Sequence, residues 1–145
     1  MTPAGFKQLM ADEGFRAFVY DDKSGLPIKF GSQGGVPTIG YGRNLVTRGI
    51  TEREGMFLLS NDLNRVWALL TRDYPWCQSI DPAWQDVMMM VAFNVGNIAV
   101  FTKFLAALQA GFAKTAHDEL LDSKAAVELP ARYGRMAEAI INKAW

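Results

Sequence analysis

The sequence predicts an α+β fold: one helix, a small glycine-rich β-sheet, then a larger all-helical part. Three observations carry this. Residues 15–45 mix aromatic and β-branched residues with glycines and hold few helix formers. After residue 50, apolar residues recur at helical spacing between glycine and proline breaks. Half of the 145 residues are hydrophobic, enough to bury a real core. The length fits a single catalytic domain, with a helix and β-lobe over about 1–50 and a helical lobe over about 51–145.

Each element has a local reason. Thr2-Pro3 reads as an N-cap followed by proline at the first helical position. Phe6, Leu9 and Met10 fall at i, i+3, i+4, and Gly14 ends the helix just after Glu13. Ala17–Asp21, "AFVYD", reads as a strand, and Ser24-Gly25 turns. Residues 26–37 are irregular, and Thr38–Gly42, "TIGYG", returns as a strand. Thr51 and Glu54 form a capping box. It opens a helix expected to turn Phe57, Leu58, Leu63, Val66, Leu69 and Leu70 inward, until "RDYPW" breaks it. Asp81-Pro82 starts the next helix, Ala83–Asn94. Trp84, Val87, Met88, Met90, Val91 and Phe93 make it apolar nearly all round, as in a central buried helix. Gly96 stops it, and Gly111 stops the helix after it. A short helix at 114–121 and a last one after Pro130 complete the chain.

Composition excludes several classes. Net charge is zero and the pI is near 6.6, so nothing argues for nucleic acid or an anionic membrane. One cysteine, Cys77, and one histidine, His117, allow neither an internal disulfide nor a structural zinc site. No metal and no cofactor are expected. Cys77 is expected as a packed small hydrophobe and His117 as solvent-exposed. The longest apolar run, Val87–Phe93, is too short for stable membrane insertion. The N-terminus lacks the basic and long apolar regions of a signal peptide, which predicts a soluble cytoplasmic product.

One constellation points to chemistry. Glu13 ends a helix, and Asp22 ends the strand after it, with eight residues between them. An antiparallel return by residues 38–42 puts Thr38 beside that strand. Two carboxyls and a hydroxyl thereby converge. Glu13 is expected against Phe15 and Phe18, and Asp22 in a polar loop. Carboxyls in unlike environments divide into an acid and an ionised partner, as glycosidic-bond hydrolysis requires. The plain alternatives are an acid near a helix end for Glu13, a cap on the Ser24-Gly25 turn for Asp22, and a strand residue for Thr38. An acid at a helix C-terminus opposes the dipole, so a use for it is expected.

The stretch "DEGFRAFVYDD…TIGYGRNL" resembles the phage-type lysozyme (endolysin) family of glycoside hydrolases. "VAFNVGN" (91–97), "FTKFLAALQAG" and the tail from "LPARYGRMAEAI" to Trp145 are similar to its later helices. One departure is an insertion: fifteen residues separate Asp22 from Thr38, where the family has about five. Another is Arg43, where the T-even enzyme has histidine.

The resemblance implies a lysozyme-like fold and an N-acetylmuramidase acting on bacterial peptidoglycan. By it, Glu13 is the general acid. Asp22 orients the attacking water or stabilises the cationic transition state, and Thr38 positions that water or Asp22. Gly42 and Asn44 line the substrate groove on the β side, and Phe93 and Asn94 on the helical side. Arg132, or its rival Arg135, pairs with the catalytic Glu. It implies a monomer made in the host cytoplasm that reaches the wall with the help of a holin. Three rivals stay open: a lytic transglycosylase that dispenses with Asp22, a non-catalytic wall-binding module and a toxin-type muramidase domain. In residues 101–145, six Lys/Arg against five Asp/Glu give only a faint basic tail for membrane disruption.

Overall fold

The structure is a computed structural model that describes residues 1, 3–28 and 34–145. The expected Thr2 cap and the tip of the insertion lie outside the described residues. Contacts divide the chain into two compact units, Met1–Met56 and Phe57–Trp145.

In the first unit, helix α1 runs Pro3–Glu13. The Gly14 N–H donates to the Met10 carbonyl at 3.1 Å and closes its last turn. Strand β1 (Arg16–Asp21) follows, then β2 (Pro37–Gly40) and β3 (Arg43–Asn44). They form an antiparallel sheet in the order β1-β2-β3. The single return strand expected at 38–42 is thus shorter, and Tyr41-Gly42 turns the chain into β3. Tyr20 lies opposite Thr38, and Thr38 opposite Asn44. The start of the insertion folds back along β1: Asp21 N–H donates to Leu26 O at 2.9 Å, and Ile28 N–H to Val19 O at 3.3 Å.

Helix α2 spans Glu52–Asp73 and opens on the expected box. Glu54 Oε2 accepts from the Thr51 N–H and hydroxyl, both at 2.8 Å. Its other oxygen accepts from Arg43 at 2.7 Å, and Arg43 Nε also donates to Gly49 O at 2.6 Å. These bonds tie β3 to the start of α2. The inward face expected for α2 is corrected. Only Leu70 is buried, while Phe57, Leu58 and Leu69 are exposed. The helical core reaches the C-terminal half of α2 alone, at Val66, Trp67 and Leu70.

The second unit is helical. After a 3₁₀ turn at Pro75–Ser79 come α3 (Pro82–Val95), α4 (Thr102–Ala110), α5 (Ala113–Leu121), α6 (Lys124–Glu128) and α7 (Pro130–Asn142). Asp81 caps α3 through the Ala83 N–H at 3.0 Å. α3 is not apolar on a fully buried surface: Trp84, Val87, Met88 and Val91 form the buried stripe, whereas Met90 and Phe93 are exposed. Burial follows the i, i+3, i+4, i+7 stripe, not the composition of the whole helix. The stripe of α7 (Tyr133, Met136, Ala137, Ile140) packs on α5, α3 and α6. The Trp84 indole donates to Ile140 O at 2.9 Å, and Trp145 donates to Asp86 at 3.0 Å, so both tie α3 to the chain's C-terminal end.

Cys77 is fully buried in this core, and burial pushes its thiol pKa up. The His117 side chain, expected exposed, is only 17% accessible. Asp118 holds its ring at 2.7 Å while also pairing with Lys114. No described helix is long and apolar enough to cross a membrane.

Leu108 is fully buried and Val127 is 79% exposed. Leu108→Ala should lower unfolding free energy by about 2–5 kcal/mol in urea titrations. Val127→Ala should change it by less than about 0.5 kcal/mol.

Candidate active site

Side chains on a helix lean toward its N-terminus, over the residues three and four before. Glu13 is the last residue of α1, so its side chain lies over that helix's last turns. There it shares a pocket of about 330 Å³ with Phe6, Leu9, Met10, Tyr41, Gly42 and Arg48. The apolar wall comes from one and two turns back, not from Phe15 and Phe18 as expected. Those two are 65% and 82% exposed, and Phe15 stacks at a tilt on Tyr41 at 5.4 Å. Helix direction, not adjacency in sequence, selects the neighbours.

Gly42 completes this seat. Its φ is +69°, and a Cβ there would meet Glu13 Oε2 at 2.6 Å. Only glycine lets the turn after β2 come this close to the carboxyl. Asn44 lies two residues on. Its side-chain oxygen accepts from Val46 and Thr47 N–H, both at 2.9 Å, and so closes the turn after β3.

The two acids at the end of β1 differ sharply. Asp21 is 5% exposed, and its carboxylate is filled with donors. Oδ1 accepts from Lys23 N–H at 3.0 Å, Ser24 N–H at 2.8 Å and the Ser24 hydroxyl at 3.1 Å. Oδ2 accepts from Gly34 N–H at 2.9 Å and from Gly35 N–H. A carboxylate offers about four lone-pair sites, so this one is saturated. The Ser24 N–H, foremost, holds its pKa down at about 2; burial opposes this, and Gly35, Gly34 and the Ser24 hydroxyl add to it. The cap on the Ser24-Gly25 turn, weighed for Asp22, is therefore Asp21.

Asp22 is exposed and has one bond to the described residues: Val36 N–H donates to its Oδ1 at 2.6 Å. The Val36 carbonyl accepts from the Asp22 N–H at 3.1 Å and from the Thr38 hydroxyl at 3.0 Å. Thr38 is 4% exposed. Asp22 and Thr38 thus share Val36 as a partner, and the Asp22 carboxylate has no further bond to the described residues. Sequence reading missed Asp21. Its signal was an acid just before a Lys-Ser-Gly turn, where an Asp side chain can accept from the N–H two residues on.

The remaining candidates belong to the helical unit. Asn94, half-buried on α3, accepts from the Tyr133 hydroxyl of α7 at 2.9 Å. Tyr133 is fully buried, so its hydroxyl needs such a partner. Phe93 is 48% exposed beside it. Arg132 and Arg135 are both exposed on α7. No cluster of metal-ligating side chains occurs among the described residues.

The family model described as "Phage lysozyme" matches residues 10–134. The chain belongs to the phage lysozyme family. The match spans every candidate residue from Glu13 to Arg132. This is a peptidoglycan-hydrolysing lysozyme and a glycoside hydrolase, with a small β part and a mostly helical remainder. A comparison with curated proteins finds no match.

Gly42→Ala in this lysozyme should displace the Glu13 carboxyl. We expect at least a tenfold loss of lytic rate, on the order of what a sub-ångström misplacement costs, with the circular dichroism spectrum retained. Acid stability tests Asp21. Its folded pKa of about 2 lies below its ordinary value of 3.8, so it stabilises the fold above pH 4 and stops doing so as pH falls toward 2. Urea titrations across that window should show stability falling in the wild type. Asp21→Asn should be less stable at pH 6 and show a flatter dependence.

Proposed function

We propose that this lysozyme is an N-acetylmuramidase and a phage endolysin. It cleaves the bond between C1 of N-acetylmuramic acid and O4 of N-acetylglucosamine. Glu13 donates its proton to the O4 leaving oxygen as the C1–O4 bond breaks. Asp22 stabilises the positive charge developing at C1 or orients the water that replaces the leaving sugar. The water's oxygen bonds to C1, and its proton passes to a carboxylate. Thr38 keeps Asp22 or that water in place.

The observation that carries this reading is the seat of Glu13. Glu13 is exposed, and it shares a pocket with Phe6, Leu9, Met10, Tyr41, Gly42 and Arg48, where a Cβ on Gly42 would meet its carboxylate. Asp22 is exposed too and has one bond to the described residues. By the family resemblance, Gly42 and Asn44 are the candidate sugar contacts of the first unit, and Phe93, Asn94 and Arg132 those of the helical unit. The protein acts as a monomer, is made in the host cytoplasm and reaches the wall through a lesion made by a holin.

Turbidity of outer-membrane-stripped bacteria tests the chemistry. Wild type should clear the suspension, and folded Glu13→Gln should be slower by about 10²–10⁴-fold, the usual worth of a general acid. Product masses should carry one added water per cleavage. Anhydro products would replace hydrolysis by transglycosylation, and lysis by Glu13→Gln at the wild-type rate would remove Glu13 as the acid.

A further inference from the structure

Asp21 is a buried, saturated carboxylate next to the proposed catalytic Asp22, and the reaction as described does not use it. Its bonds nevertheless lead to the site. Oδ2 holds the N–H groups of Gly34 and Gly35, which arrive from the far end of the insertion. The next residue is Val36, whose N–H reaches Asp22 and whose carbonyl takes the Asp22 N–H and the Thr38 hydroxyl. Gly35 is also the contact point of both acids. A Cβ there would meet Asp22 Oδ1 at 2.5 Å and Asp21 Oδ1 at 2.7 Å. Both carboxylates are therefore packed against one glycine, and only a residue without a side chain fits between them.

We propose that Asp21 is a positioning residue for the hydrolysis. Its carboxylate pins Gly34-Gly35 to the end of β1, and this fixes the Val36 peptide that aims Asp22 and Thr38. An insertion of this length has many ways to close, and its closing end carries no periodic apolar residues to hold it down. One buried carboxylate does this with two backbone N–H groups on one oxygen and the Ser24 turn on the other. Because Asp21 has no lone pair to spare, it acts through Asp22 and never on substrate. The proposal rests on the reading of Asp22 as a catalytic carboxylate.

A double-mutant cycle on the full chain tests it. Asp21→Asn keeps the shape but aims an amide NH₂ at N–H donors. With solubilised peptidoglycan as substrate, it should lower kcat by about 10²-fold, the scale of a 1 Å misplacement, and leave KM within about twofold. Asp22→Asn should also lower kcat, and the double variant should be no slower than Asp22→Asn alone. That non-additivity is the signature of one residue acting through the other. Ser24→Ala removes one donor to Asp21 while leaving its charge and the bonds of Asp22, and it should give a smaller kcat loss with the same non-additivity, even if Asp21→Asn does not fold. Losses that multiply, or a folded Asp21→Asn at the wild-type kcat, would overturn the proposal. A wild-type kcat for Asp22→Asn alone would instead remove Asp22 from the reaction, and the role of Asp21 with it.

Discussion

A carboxylate taken out of water costs free energy unless donors replace its hydration. In this lysozyme Asp21 meets that demand with the backbone of two separate loop segments. The demand works in reverse as a constraint. Residues 23–24 and 34–35 must both come to the end of β1, whatever the insertion does between them. The register of β2 against β1 follows from that anchoring, since Pro37 then pairs with Asp21 and Thr38 with Tyr20. The small sheet has little hydrophobic core of its own, and Thr38 and Asp21 are its most buried polar residues. A polar anchor is the available way to fix it.

Neighbouring acids can therefore have opposite tasks. Asp21 spends all its acceptor capacity on the fold, and among the described residues Asp22 spends one bond. Which acid is free for chemistry is decided by the donors that reach each carboxylate: two loop segments converge on Asp21, while among the described residues only the Val36 N–H reaches Asp22. Glu13 is placed by a different device. Its helix ends at Gly14, the chain reverses, and the turn at Gly42 comes back against the carboxyl. A clamp of Arg43, Glu54 and the Gly49 carbonyl holds the strand that follows that glycine. Arg43, a departure from the T-even pattern, has a structural use here.

Features set by local chemistry were legible in the sequence. The Gly14 stop, the Thr51–Glu54 box and the Asp81 cap each depend on residues close in the chain, and the pairing of Thr38 with β1 shows as two β-prone runs of strand residues. Asp21 escaped notice because two of its partners lie 13 and 14 residues away across a segment without periodicity. The Asn94–Tyr133 bond joins positions 39 apart and needs the packed helices to exist first. Helix α6 is only five residues long, too short to show a repeat. Phe15 and Phe18 follow Glu13 in sequence but lie off its pocket, and the apolar content of α2 and α3 exceeds the stripe that a partner covers.

Asp21 is an ionised anchor and not an ordinary surface acid. Its side-chain carboxyl ¹³C shift, followed by NMR from pH 6 downward, tests this most directly. Asp21 should stay ionised until about pH 2 while the fold persists. A midpoint near the ordinary 3.8 would mean that the Gly34, Gly35 and Ser24 donors do not hold the carboxylate, and the anchoring of Asp22 and Thr38 through Val36 would lose its basis.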